Sequence, residues 1–146
     1  MRITITVDDP TPAALELVRA FAALPAARVA AEPADRWTTE RARTYFRLLP
    51  PRAQQILRQV VEGGGACSAE TLRGEGGRSL RGCTGSFGAR VREGAAAGYW
   101  AAGIPVPVES VTVGGTLVRL EMPGMGEDTD PLPVFRAALD RLDGER

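Results

Sequence analysis

The side chains here that could do chemistry are arginines: all 18 basic residues are Arg, with no lysine and no histidine among 146 positions. A guanidinium stays charged at every working pH. It offers a rigid fork of donors that suits phosphate oxygens or the O6/N7 edge of guanine. What it does poorly is exchange protons. Without histidine there is no Ser-His-Asp or Cys-His site, and no His-containing zinc site. A phosphate loop of the Walker type lacks its lysine. The two cysteines, Cys67 and Cys83, cannot form an all-Cys zinc site and read as reduced core thiols. Glu127-Asp128-Thr129-Asp130 has the beginning of a calcium loop but lacks the later Gly and Glu. These exclusions predict a binding protein with no cofactor and no metal rather than an enzyme.

The arginines are not evenly spread. Residues 1–35 hold three Arg against five acids, residues 36–92 eleven against four, and residues 93–146 four against nine. The formal charges of these stretches are −2, +7 and −5, which sum to the net charge of zero. A basic block between acidic ends points to a polyanionic partner for the centre. The same arginine bias, with 17 Gly and 11 Pro, also accompanies a GC-rich coding sequence.

Something must position that block. Ile3, Ile5 and Val7 alternate with polar residues as a strand does, and Thr11-Pro12 opens a helix striped by Leu17, Val18, Phe21 and Leu24. With a short strand around Arg28 to Ala31, residues 1–35 read as a β-α-β element. This is too small to fold alone, and it predicts packing against a second protomer. After Glu32-Pro33-Ala34-Asp35 comes a helix from Thr38 to Leu49, with Ala42, Tyr45, Phe46 and Leu49 on one side and Trp37 as a hydrophobic staple. Pro50-Pro51 separates it from a helix that repeats Ala53, Ile56, Leu57 and Val60, stopped by Gly63-Gly64-Gly65. Ser68 caps a short helix through Arg73, Gly74 to Gly77 turn the chain, and a longer helix runs from Arg78 toward Gly94. Val111-Thr112-Val113, Gly114-Gly115 and Thr116 to Met122 read as a hairpin. Acidic loop residues and a helix from Val134 to Leu142 close the chain.

Helix, helix, short helix, turn, longer helix and hairpin is the order of a winged helix-turn-helix, an α+β fold, over residues 37–123. On a helical wheel Leu80, Cys83, Thr84, Phe87 and Val91 share one face of the longer helix. Arg78, Arg81 and Arg92 lie opposite, interleaved with Gly82, Gly85 and Ala89. Small neighbours would let that backbone approach a DNA groove. The run Gly82 to Gly88 is readable either as a helix in close contact or as a loop. The expected interface is Arg78 and Arg81 at base edges and Arg73, Arg90 and Arg92 on phosphates. Arg43 and Arg47 extend the basic face, and Arg119 sits in the wing.

The stretch from Trp37 to Pro123 resembles a group of small actinobacterial proteins with a predicted winged-helix fold. The resemblance is carried by Tyr45-Phe46-Arg47-Leu48-Leu49-Pro50-Pro51-Arg52-Ala53, by Leu80-Arg81-Gly82-Cys83-Thr84-Gly85-Ser86 and by Leu120-Glu121-Met122-Pro123. It covers a little over half of the chain and implies a fold and DNA binding, with no catalytic fingerprint. Residues and resemblance together predict a cytoplasmic, homodimeric, double-stranded-DNA-binding protein that regulates transcription. The alternative is an interaction module whose basic groove meets an acidic protein, its own C-terminal segment included. RNA is a weaker third partner, because no sheet of stacking aromatics is evident.

Overall fold

A computed structural model describes residues 11–23, 35–124 and 130–145. The two N-terminal strands expected from the sequence, and the acidic run 127–129, lie outside the described residues. The elements are helices α1 (Pro12–Ala22), α2 (Thr39–Leu48) and α3 (Pro51–Glu62), strand β1 (Ala66–Ser68), and helices α4 (Ala69–Arg73) and α5 (Cys83–Ala96). Strands β2 (Glu109–Val113) and β3 (Thr116–Glu121) and helix α6 (Pro131–Gly144) complete them. The protein is α+β, with a small antiparallel sheet in the order β1-β3-β2.

Helix ends follow their local chemistry. Thr38 caps α2 by accepting the Arg41 N–H at 3.2 Å, Ser68 caps α4 through the Thr71 N–H at 3.1 Å, and Asp130 caps α6 through the Leu132 N–H at 3.0 Å. The apolar stripes of α2 and α3 are buried as their spacing requires: Ala42, Tyr45, Phe46 and Leu49, then Ala53, Ile56, Leu57 and Val60. Both face one core, and α6 closes it by packing along α2 and α3 and inserting Phe135. Trp37, Tyr45, Trp100 and Phe135 meet there, with ring centroids of Trp37 5.1–5.2 Å from the other three in tilted and edge-on arrangements. Each buried polar edge has an acceptor: Trp37 Nε1 donates to the Pro105 carbonyl and Trp100 Nε1 to the Val91 carbonyl, both at 2.8 Å.

The hairpin forms where expected. Gly114 and Gly115 both take positive φ, +57° and +79°, which a two-residue type I′ turn demands and a side chain would resist. The ladder steps between Val111 (opposite Arg119) and Thr112 (opposite Leu117), so Val118 bulges out of the pairing. β1 is an element the sequence did not announce. It pairs Ala66, Cys67 and Ser68 with Glu121, Leu120 and Arg119, and the Met122 N–H donates to the Gly65 carbonyl at 2.7 Å. The hairpin is thereby stitched to the end of α3.

The longer helix begins later than its sequence predicts. Arg78 to Leu80 lie outside any regular element, Arg81 and Gly82 form a turn, and α5 starts at Cys83. Gly82 is the N-cap, at φ +80° and ψ −29°. That left-handed backbone interrupts the helix the wheel had carried back to Arg78. From Cys83 onward the run is helical, so the loop reading of residues 83–88 falls.

Candidate nucleic-acid interface

The turn between α4 and α5 brings Arg73 and Arg78 together through their backbones, since the Arg78 N–H donates to the Arg73 carbonyl at 3.0 Å. Arg81 follows, its N–H held by the Ser79 hydroxyl at 3.1 Å. Leu80, buried between exposed Ser79 and Arg81, anchors this segment to the core. The hairpin stands across from it. An open cleft of about 370 Å³ lies between them, with Arg73, Arg81 and Thr84 on one wall and Ser110, Thr112 and Leu117 on the other.

Charge pairing divides the eight arginines expected at the interface into two sets. Arg43 on α2 is held by Glu40, 3.1 Å away, and by Glu145 beyond α6. Hydrogen bonds to Glu40 first, then Glu145, push its pKa further up. Arg47 reaches the same Glu145 at 3.1 Å. Arg90 pairs with Glu93 one turn on, and Arg119 with Glu121 at 2.7 Å. These four carry their own carboxylates. Arg73, Arg78, Arg81 and Arg92 have no carboxylate partner among the described residues. Arg78, Arg81 and Arg92 are exposed and Arg73 is half-buried at the cleft.

Two placements therefore correct the sequence expectation. Arg78 and Arg81 sit on the turn before α5, not on the helix, because Gly82 begins the helix in a left-handed conformation. Arg43 does not extend an open basic face, because α6 packs against α2 and brings Glu145 to it, and Arg47 shares that carboxylate although its side chain stays 59% exposed. Sequence reasoning also missed the second wall of the cleft: Ser110 and Thr112 gave no signal beyond strand alternation.

Other features expected to carry chemistry are plainer. Among the described residues no group of three or more His, Cys, Asp or Glu is placed to hold a metal ion. No helix among them is long and apolar enough to cross a membrane. Cys67 and Cys83 are unbridged and half-buried, and burial pushes the Cys67 thiol up from its ordinary pKa. Tyr99 is exposed, while its neighbour Trp100 is buried in the core. No family model matches the chain, and no curated protein or solved structure matches it.

Proposed function

We propose that this protein binds duplex DNA through the turn before α5 and the cleft beside the hairpin, the activity a transcription regulator or an architectural protein needs. The observation that carries the reading is the sorting of the arginines. Of the eight arginines expected at the interface, four pair with carboxylates; of the four with no carboxylate partner among the described residues, Arg73, Arg78 and Arg81 gather just before the start of α5 and Arg92 lies further along that helix. A group of guanidinium side chains without carboxylate partners, two of which (Arg73 and Arg81) line an open cleft, is the electrostatic footprint of a polyanion site. The succession α3, β1, α4, α5 and hairpin supports the reading further, since it suits a winged helix-turn-helix, in which the helix after the turn faces the DNA and the hairpin flanks it. The first turn of α5 receives no side-chain cap and carries no acidic residue, so its backbone dipole adds to the positive potential.

The test is a mobility shift on random-sequence duplex DNA at low and moderate salt. Binding at low salt that weakens steeply with salt is expected. Arg78→Ala with Arg81→Ala should weaken both the binding and its salt dependence. An unchanged shift in that double variant would remove the turn from the interface.

A second reading, a homodimeric interaction module, is favoured by α1, which leaves Leu15 and Leu17 44% and 53% exposed. Such apolar side chains on one short helix suit burial against a second copy. A dimeric mass with no DNA shift at either salt would select this reading. A dimeric mass with the shift would join the two.

A further inference from the structure

We infer, resting on the DNA-binding reading above, that this surface holds the duplex by its phosphodiester backbone and discriminates little between base sequences. Reading bases in a major groove needs side chains that can donate to or accept from base edges along the inserted helix. The exposed start of α5 offers almost none. Gly82 and Gly85 point into open space, with nothing within 4 Å of where a Cβ would stand. Ala89, one turn further, has no polar group. Ser86 spends its hydroxyl on the Cys83 carbonyl at 2.5 Å. Thr84 faces the cleft beside the hairpin. Along the helix the next exposed cation is Arg92, more than two turns from the cap.

The cations with reach sit on the turn instead. Arg73 ends α4, and Arg78 and Arg81 are carried by the segment linking it to α5, so a helix lying in a groove would hold all three beside the flanking strand. A bare helix start lets the backbone approach closely, and arginines at its margin meet phosphates. That combination positions a protein on DNA without specifying where. The hairpin adds no base-reading charge, because Arg119 is tied to Glu121 and the tip is Val113-Gly114-Gly115-Thr116.

The full chain would be titrated by fluorescence anisotropy onto labelled duplexes of random, A·T-rich and G·C-rich sequence, with repeated selection from a random duplex pool. Affinities within about threefold of each other and no enriched motif are expected. Four phosphates neutralised by four arginines would give a log–log salt slope of about −3 to −4. Arg78→Lys with Arg81→Lys keeps the charge and loses the guanine-matching fork, so it should leave affinity within about threefold. Selection of a motif, or a drop of more than tenfold in the lysine variant with circular dichroism unchanged, would overturn the inference while leaving DNA binding intact. No binding to any duplex at low salt would overturn the DNA-binding reading itself, and this inference with it.

Discussion

The Tyr45 hydroxyl donates a hydrogen bond of 3.1 Å to the Phe87 carbonyl, and both residues are buried to within 1% of complete. The bond spans 42 positions in sequence and ties α2 to the helix that begins at the proposed interface. Tyr45→Phe keeps the ring packing and deletes this link. A loss of about 1 kcal/mol in urea unfolding is expected, with the urea dependence unchanged. No loss would mean that the bond contributes nothing net.

Alkaline pH should probe the same hydroxyl. Burial raises the Tyr45 pKa far above its ordinary value of 10.0. Unfolded chains can ionise the phenol from about pH 10 upward while the folded protein cannot, so stability is full below pH 10 and falls as pH rises past it. The slope approaches roughly 1.4 kcal/mol per pH unit. Tyr45→Phe should flatten that decline between pH 10 and 11, as read by urea midpoints. An identical decline in the variant would place its cause elsewhere.

Two glycines of α5 should respond oppositely to alanine. A Cβ on Gly94 would overlap the Trp100 indole, which is itself fixed by its bond to the Val91 carbonyl. Gly94→Ala should therefore destabilise by about 1–3 kcal/mol, the usual cost of overpacking, despite the better helix former. Gly85→Ala meets open space and should stabilise by up to ~1 kcal/mol. Thermal unfolding of the pair decides. If Gly94→Ala raised the melting temperature, the Trp100 contact would be refuted.

The Cys67 thiol, whose pKa burial raises, should react slowly with a disulfide reagent at pH 7.5. Measured in a Cys83→Ser background, the rate should rise severalfold once the protein is unfolded in urea. A folded-state rate equal to that of the unfolded chain would show an open thiol.

Arg58 sits under α6, paired with Asp143 at 2.7 Å and lying 5.2 Å over the Phe46 ring. The Asp143 hydrogen bond is the main reason its pKa is raised. Arg58→Ala should cost about 0.5–1.5 kcal/mol, from a partly exposed ion pair and the ring contact together. Arg58→Met, which restores bulk over Phe46, should recover part of that loss. Equal loss in both would assign the whole effect to the charge.

What could be read in the sequence was whatever local spacing determines. Ala42, Tyr45, Phe46 and Leu49 recur at helical period and are buried; Gly114-Gly115 dictates a hairpin through backbone freedom alone. β1 was not legible. Ala66-Cys67-Ser68 has no alternation to speak of, and it is a strand only because β3 presents an edge more than 50 residues later. The start of α5 was misplaced because the wheel argument treats Arg78 to Gly82 as helical, whereas a left-handed Gly82 ends that geometry. The candidate site was legible by residue type and not by arrangement. Which arginines remain unpaired depends on partners such as Glu145 for Arg43, 102 positions apart. No periodicity records such a pairing.

Both tryptophans of the protein belong to one buried aromatic group, 5.2 Å apart. Intrinsic fluorescence therefore has a single vantage point, deep among α2, α6 and the loop after α5. It will report whether those segments are docked, and it will be blind to whatever happens at the hairpin or along the arginine turn. Ligand-induced quenching of that emission would be a sign of global rearrangement, so occupancy of the outer surface must be followed with an extrinsic dye.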